Sequence, residues 1–307
     1  MKTRLTYLFT ILLVVSSSTP AQLKTVDIQK LPLDHAREWS NPQFSPSGRF
    51  IYLTTSGFDG IWEYSLSMGT LRQITDDKRS GFEFSISPDE RQLAYRRTST
   101  DATTHERLQE IVLVNLTDLT STLLESGETV STPTFVKNRV VYTVEGRTKN
   151  LSSQINLNQS SIIGIENTKI ALNRSGKKVL LDPLKGGSYV WPSLSPDGKR
   201  IVAYEMEAGT FICNLDGKVL SRLGRRDSPT WTRDGKWIVF MRDADDGHDI
   251  TSSEIWCIST DGKTLAPLTE TDSVIELYPD CSPTENTIVC TSLIGEVFLI
   301  SYEETRK

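Results

Sequence analysis

The apolar positions of this chain fall in short runs, rich in β-branched and aromatic residues, that are separated by turn residues. One pattern recurs: a proline, a spacer, a bulky apolar residue and a turn of the Ser-Pro-Asp-Gly type. Its six copies contain residues 42–48, 84–90, 133–138, 192–198, 229–235 and 279–285. Proline presets φ for the second position of a type I turn, and Asp and Gly suit the next two positions. Each copy therefore predicts a β-hairpin.

A continuous apolar run follows each turn, and a third and a fourth run usually follow it, which predicts units of four antiparallel strands. The units begin near residues 41, 83, 132, 191, 228 and 278. A repeat of roughly this period is typical of propellers, because a single small sheet cannot bury both of its faces. We therefore predict an all-β, six-bladed β-propeller of four-stranded antiparallel blades, with the proline-bearing strands innermost.

The two ends of the chain predict how the ring closes. The last unit ends at its third strand, and an alternating run at 25–29 precedes the first unit. We expect this N-terminal strand to complete the last blade and remove two free sheet edges, the alternative being a disordered leader. Residues 150–187 depart from the repeat. We predict that this segment contains a third strand at 153–157 and a fourth strand at 177–181, with an insertion between them.

The first 21 residues have the pattern of a secretory signal peptide. Lys2 and Arg4 precede an apolar stretch at 5–15 that is too short to span a bilayer, and small residues lead to Ala21. We expect residues 22–307 to form one propeller domain in the periplasm or outside the cell, with no membrane span. Removing the leader changes the formal net charge from −5 to −7, and this acidic chain gives no reason to expect nucleic-acid binding.

Four cysteines, at positions 213, 257, 281 and 290, lie on predicted strands in the last third of the chain. An exported protein can form disulfides, and Cys281 and Cys290 flank one hairpin, where they could be cross-strand neighbours. Cys213 and Cys257 lie on adjacent blades, too far apart to bridge. Burial of all four as small apolar residues is the alternative.

The hairpins, the strand endings Ile74-Thr75 and Leu268-Thr269, and the leader resemble the six-bladed propeller of the periplasmic TolB family. The resemblance covers nearly all of residues 22–307 and implies a protein-docking propeller. The chain differs from TolB in having only about 20 residues between the leader and the first blade, too few for the α/β domain that TolB proteins carry there. Similar blades occur in prolyl-oligopeptidase-like peptidases and pectin-degrading lyases, so the repeat indicates architecture more than function.

The sequence contains no clear catalytic or metal-binding motif. It lacks a Gly-x-Ser-x-Gly nucleophile elbow, and His35, His105 and His248 are far apart along the chain, unlike the histidine-rich channels of the lyase-like relatives. Residues 243–254 place oxygen-bearing side chains at positions 1, 3, 7, 9 and 12, close to a calcium loop, but Gly247 and His248 depart from that pattern. A long solvated hairpin loop is the alternative. We predict no catalytic residue, no metal site and no cofactor.

Aromatic and polar residues at the starts of the predicted inner strands are the candidate binding residues. They are Trp39, Asn41, Glu83, Trp191, Asp227 and Tyr278. Such residues would surround the channel mouth on one face, a composition typical of binding surfaces, although both tryptophans could instead pack between blades. The predicted function is a non-catalytic, monomeric module that binds another envelope protein or a peptide. The alternative is a carbohydrate-active, lyase-like enzyme with a carboxylate-lined, metal-binding channel.

Overall fold

The computed structural model of the chain describes residues 21–34, 36–100, 104, 106–149, 160–175, 177–271 and 273–305. These residues form seven antiparallel sheets, which are the blades of a β-propeller. The predicted signal peptide at 1–21 lies almost entirely outside the described residues. Within the described part of the chain, no helix has the length and apolar character needed to cross a membrane.

The blades are numbered in chain order, and each is given below from its innermost strand outwards. Blade 1 contains β2 (Trp39–Phe44), β3 (Phe50–Thr55), β4 (Ile61–Ser65) and β5 (Thr70–Thr75), and blade 2 contains β6 (Phe84–Ile86), β7 (Gln92–Thr100), β8 (Arg107–Asn115) and β9 (Ser121–Gly127). Blade 3 contains β10 (Thr134–Val136), β11 (Arg139–Val144) and β12 (Arg147–Lys149), and blade 4 contains β13 (Ser161–Glu166), β14 (Lys169–Arg174) and β15 (Lys177–Leu181). Blade 5 contains β16 (Tyr189–Leu194), β17 (Arg200–Glu205), β18 (Gly209–Asn214) and β19 (Val219–Gly224), and blade 6 contains β20 (Asp227–Trp231), β21 (Trp237–Asp245), β22 (Ile250–Ser259) and β23 (Leu265–Pro267). Blade 7 contains β24 (Glu276–Cys281), β25 (Thr287–Ser292), β26 (Val297–Thr305) and β1 (Gln22–Lys30).

The tight turns between first and second strands follow from their residues. At the β16–β17 turn, the Gly198 amide donates to the Ser195 carbonyl (2.8 Å), and Gly198 has a φ of 69°. The Ser195 hydroxyl donates to the Asp197 carboxylate (2.6 Å), which holds the turn from inside. These turns lie at one end of the propeller, the turn face. The opposite end, where β2, β6, β16, β20 and β24 begin, is called the strand-start face below.

The prediction of six blades is wrong, because the described residues form seven. The segment interpreted as an insertion builds blade 4, and the predicted fourth strand at 177–181 is its outer strand, β15. The predicted strand at 153–157 lies outside the described residues. Blade 4 has no proline-first strand and joins β13 to β14 through Asn167 and Thr168, which have φ values of 49° and 65°. The repeat used to count blades is therefore absent from this one.

Blade 4 also differs in direction. The Tyr189 amide, at the start of β16, donates to the Thr168 carbonyl (3.0 Å), so the end of β13 lies beside the start of β16. The two neighbouring inner strands therefore run in opposite directions.

Blade 4 nevertheless buries both of its faces, as a propeller blade must. Ile163 and Ala171 pack against Val136 and Val141 of blade 3. On its other face, apolar side chains of β14 and β15 pack against blade 5 around Tyr189. The two sets of contacts make this short sheet a full member of the ring.

The N-terminal strand closes the ring, as predicted. β1 pairs with β26 along its length, from Gln22 opposite Thr305 to Lys30 opposite Phe298. The Leu31 amide then donates to the Val297 carbonyl (2.8 Å). The first and last described strands thus share one sheet, and the outer edge of β26 is covered.

The four cysteines are buried free thiols, so the disulfide alternative for Cys281 and Cys290 is not the one formed. Cys281 lies opposite Ile288, whereas Cys290 lies opposite Phe298 on the next strand. Burial raises the pKa of the Cys213 and Cys257 thiols to about 12 and also raises those of the other two. All four are therefore protonated and inaccessible at neutral pH.

We expect the native protein to react slowly with a thiol reagent such as 5,5′-dithiobis(2-nitrobenzoate), because the reactive thiolate is both buried and disfavoured. Unfolding in denaturant without reductant should release four reactive thiols per chain, the number in the sequence. A count of two under those conditions would contradict the free-thiol state.

Candidate functional site

Four inner strands carry a β-bulge at the residue that precedes their proline. These residues are Asn41, Trp191, Ser228 and Tyr278, with φ values of 48°, 51°, 48° and 53°. The ladder with the second strand shifts register at the same place in each blade. Positive φ is uncommon for residues with a side chain, and bulges redirect the side chains they carry. Three predicted site residues, Asn41, Trp191 and Tyr278, therefore lie at bulges, where their side chains do not follow the regular alternation of a strand.

Trp39 is a core residue, not part of the channel mouth. Its side chain is 2% exposed, its ring meets Trp62 edge-on with centroids 5.3 Å apart, and its Nε1 donates to the Asp34 carbonyl (3.1 Å). It packs in one cluster with Val289 and Val297 of blade 7. The sequence allows two locations for Trp39, between blades or at the channel mouth. The structure places it between the first and last blades.

Glu83 lies just before β6 and faces blade 3. Its carboxylate is 3.6 Å from an Arg96 guanidinium nitrogen and accepts a hydrogen bond from the Thr132 hydroxyl. Burial raises the pKa of Glu83, and the charge of Arg96 partly opposes this effect. Asn41 and Tyr278 are half-buried at their bulges in blades 1 and 7.

Trp191 and Asp227 are the two predicted residues that the structure brings together. Trp191 is 45% exposed, and its ring packs edge-on against Tyr204 with centroids 5.5 Å apart. The Tyr204 side chain lies close to Asp227, which begins β20 in the next blade, and burial, followed by the charge of Asp227, raises the pKa of Tyr204. One tyrosine thus links an exposed indole ring to a carboxylate across the boundary between blades 5 and 6.

Asp227 forms a pair with a second carboxylate, Asp243 on β21. Burial, followed by the charge of the nearby Asp243 carboxylate, raises the pKa of Asp227. One oxygen of Asp243 is buried without a hydrogen-bond partner. Arg225 Nε lies 3.5 Å from the Asp227 carboxylate, but its side chain is 72% exposed. We call Trp191, Tyr204, Arg225, Asp227 and Asp243 the Asp227 site.

Sequence reasoning missed Tyr204, Arg225 and Asp243 as members of this site. Tyr204 belongs to an apolar run that predicts a strand. Asp243 is the first position of the calcium-like pattern at 243–254, and that pattern does not reveal which residues of other strands lie near it. Each lies on a different strand or loop from Trp191, so only the packing of blades 5 and 6 brings them together.

The calcium-like segment is a β-hairpin with an exposed tip. Asp243 lies opposite Ser253, near the far end of the same segment. Asp246 accepts hydrogen bonds from the amides of His248 and Asp249 (both 3.0 Å), which closes the turn locally. Within the described ranges, no three His, Cys, Asp or Glu side chains are grouped as metal ligands. His35 and His105 lie outside those ranges.

Five of the exposed apolar side chains lie on the strand-start face. They are Phe82, Trp191, Met206, Leu293 and Ile294, each between 45% and 71% exposed. Phe82 packs edge-on with Phe58 of the β3–β4 hairpin, at 5.2 Å between centroids. The β7–β8 and β21–β22 hairpins, with strands of nine or ten residues, extend beyond their neighbours at this face, in blades 2 and 6. The face therefore combines apolar contact area with two projecting hairpins.

The inner strands also line a cavity of about 340 Å³ that reaches Asp280. The Asp280 carboxylate accepts a hydrogen bond from the Phe44 amide of blade 1 (2.7 Å) and one from the Thr230 hydroxyl of blade 6 (3.4 Å). Burial raises its pKa to about 6. Asp280 thus connects the inner strands of three blades, which is a structural role.

Comparison with known proteins supports the fold and leaves the family open. No protein-family model matches the sequence. An uncharacterized protein of Agrobacterium fabrum, Atu1656, is 28% identical over 115 residues, which cover 35% of this chain and 37% of that protein. The chain therefore spans just over a third of the length of the curated relative it matches.

Three solved structures share the architecture at low sequence identity. The β-propeller domain of Cps50 (Swd1) from Myceliophteria thermophila is 11% identical with a TM-score of 0.59, over 86% of this chain and 96% of that one. TolB from Acinetobacter baumannii is 17% identical with a TM-score of 0.52, over 76% and 55%. An oligogalacturonate lyase in complex with manganese is 13% identical with a TM-score of 0.50, over 86% and 76%. The chain is a β-propeller with TolB-like neighbours.

Proposed function

We propose that this protein is a non-catalytic binding module whose strand-start face receives a protein or peptide that carries a cationic side chain. The observation that carries the proposal is the Asp227 site, where an exposed indole ring packs on Tyr204 and two neighbouring carboxylates lie near that tyrosine. The leader and the TolB resemblance support a periplasmic or secreted location. We expect the partner to be an envelope protein or peptide and the free protein to be a monomer.

The chemistry of the Asp227 site favours a cation. Two neighbouring carboxylates cannot both ionise cheaply, and Arg225 offsets only one of the two charges. A lysine or arginine side chain would supply the second positive charge and make charge-assisted hydrogen bonds. The face of Trp191 would add a cation–π contact. Because Arg225 is largely exposed, it can move aside to admit such a side chain.

The rest of the face would supply apolar contact. Exposed apolar side chains grouped on one surface are typical of interaction sites, and aromatic anchors contribute most of the binding energy. The projecting β7–β8 and β21–β22 hairpins would flank a segment that lies between them. A cationic side chain at the Asp227 site with apolar residues beside it is the pattern we expect in the partner.

The lyase-like alternative remains a prediction. The match to an oligogalacturonate lyase extends to the fold, at 13% identity. Turnover of an acidic oligosaccharide by the purified protein would revive this alternative. The acidic Asp227 site would repel such a substrate, which is why we favour a cationic ligand.

A labelled peptide array tests the proposal, with peptides that carry Arg, Lys, Gln or Glu between apolar residues. We expect wild-type protein to prefer the Arg and Lys peptides, and Asp227→Asn or Trp191→Ala to weaken their binding about 10-fold or more, as for a lost charge-assisted contact. Binding should strengthen as pH rises, because Asp227 must lose its proton, and its pKa is raised in the free protein. Fluorescence anisotropy measures both effects.

Asp261→Asn is the matched control, since it removes the same charge from an exposed turn on the turn face. It should leave binding unchanged. If the array shows no preference for basic peptides, or if Asp227→Asn binds as well as Asp261→Asn, the proposal is wrong.

A further inference from the structure

Glu276 occupies a position that aromatic rings fill in two other blades. It lies three residues before Pro279, as Trp39 and Tyr189 lie three residues before their prolines, and all three side chains are buried between neighbouring blades. Glu276 is 3% exposed, so a carboxylate occupies this buried position at the contact between blades 6 and 7. Buried carboxylates are costly unless a cation, a proton or several hydrogen bonds balance them.

The hydrogen bonds of Glu276 are incomplete. Its Oε1 accepts one bond from the Thr271 hydroxyl (2.9 Å), and its Oε2 is buried with no hydrogen-bond partner. The Ser253 hydroxyl donates to the backbone carbonyl of Glu276 and so does not serve the carboxylate (2.6 Å). One carboxylate oxygen is therefore left without a donor in the interior.

A second carboxylate lies beside the first. Glu254 on β22 accepts hydrogen bonds from the Thr271 amide (2.9 Å) and the Thr269 hydroxyl (2.5 Å). Both glutamates therefore bind the same residue, Thr271, which joins the end of blade 6 to the start of blade 7. The charge of Glu254 adds to burial in raising the pKa of Glu276 to about 7.

No basic group within the described part of the chain pairs with these two glutamates. Among the described residues, neither glutamate accepts a hydrogen bond from a Lys, Arg or His side chain or forms an ion pair with one, and the neighbours of Glu276 on β25 are Ser292, its cross-strand partner, and the neutral thiol of Cys290. Arg242 on β21 is the cross-strand partner of Glu254, but its guanidinium lies over the Trp256 ring, 4.7 Å from the centroid. The pair therefore requires either a proton or an additional cation.

We propose that Glu254 and Glu276 bind a divalent cation, calcium in preference to magnesium, between blades 6 and 7. Carboxylate and hydroxyl oxygens are ligands of hard cations, and Thr269 and Thr271 would contribute their hydroxyls beside the two carboxylates. Calcium suits the site better because it tolerates irregular geometry and fills its remaining positions with water. Glu254 and Thr271 are half-buried, which leaves a route from the strand-start face.

Thermal unfolding of the full chain tests the proposal after treatment with a chelator and exchange into metal-free buffer at pH 8. Added calcium should raise the melting temperature saturably, by about 5 °C at a hundredfold excess over the dissociation constant. Magnesium should produce a smaller shift. Glu276→Gln and Glu254→Gln should each abolish the response, whereas Glu207→Gln, at an exposed hairpin in blade 5, should retain it.

Isothermal titration calorimetry with calcium provides a second measurement that does not depend on the stability of the variants. We expect one site per chain in the wild type and none in Glu254→Gln. No calcium-dependent shift and no binding heat at pH 8 would show that the pair holds only a proton and would overturn the proposal. A response that persists unchanged in both glutamine variants would place the ion elsewhere and overturn it as well.

Discussion

Replacing Trp39 with alanine is expected to lower the free energy of unfolding by about 3–5 kcal/mol, the range for removing a large buried aromatic side chain. Trp39 packs between blades 1 and 7, against Trp62 and Val297, at the junction that closes the ring. Its removal leaves a cavity at this junction and leaves the Asp34 carbonyl without the Nε1 donor. Chemical denaturation monitored by circular dichroism measures the change.

Trp191→Ala is the matched control for this prediction. The same residue type is lost, but Trp191 is 45% exposed, and its ring packs edge-on against Tyr204. We expect it to change the free energy of unfolding by about 1 kcal/mol or less, in line with other exposed positions. Equal destabilisation by the two variants would show that the tryptophans do not differ in role.

The stability of the metal-free protein is expected to fall as pH rises from about 4.5 to 7, and Glu276 is the main cause. Its pKa is about 7 in the folded protein and 4.5 ordinarily, so the folded state holds a proton that the unfolded state has released over this range. The free energy of unfolding should decrease by up to about 3 kcal/mol from this group. Denaturation midpoints measured at several pH values in the presence of a chelator give the slope.

Glu276→Gln isolates that contribution, because glutamine keeps the shape and cannot titrate. Asp280 acts in the same direction at lower pH, since its pKa rises from 3.8 to about 6, so the variant should retain a weaker dependence below pH 6. Between pH 6 and 7 the free energy of unfolding of Glu276→Gln should change little, whereas that of wild type and of Glu207→Gln should decrease. An unchanged slope in Glu276→Gln would show that the buried carboxylate does not hold the proton.

The number of blades could be predicted only in part from the sequence. The proline-first hairpin marks six blades, and their inner strands begin within three residues of the predicted positions. Blade 4 was missed because its three strands have neither the proline nor the Ser-Pro-Asp-Gly turn, and its inner strand runs against that of blade 5. A short apolar run does not reveal from sequence whether it forms a separate sheet. Blade 4 is a separate sheet because residues of the neighbouring blades, such as Val136 and Tyr189, pack against its two faces.

The candidate site was predictable in part. The position of residues at the strand starts indicated Trp191 and Asp227, because inner strands begin at the channel mouth. The same argument included Trp39, which is buried, since identical positions in different blades face different neighbours. The partners Tyr204 and Asp243 come from separate strands and could not be chosen without the register and the packing of blades 5 and 6.

The amino-acid sequence by itself determined the β class, the hairpins and the strand that closes the ring, because these depend on local turn chemistry and on the alternation of apolar residues. The tertiary structure alone decided the number of blades, the burial of Trp39 and the pairing of Asp227 with Asp243 and of Glu254 with Glu276. Those features depend on contacts between residues that are distant along the chain, and the free energy of such contacts comes from burial and charge proximity that exist only after the blades have packed.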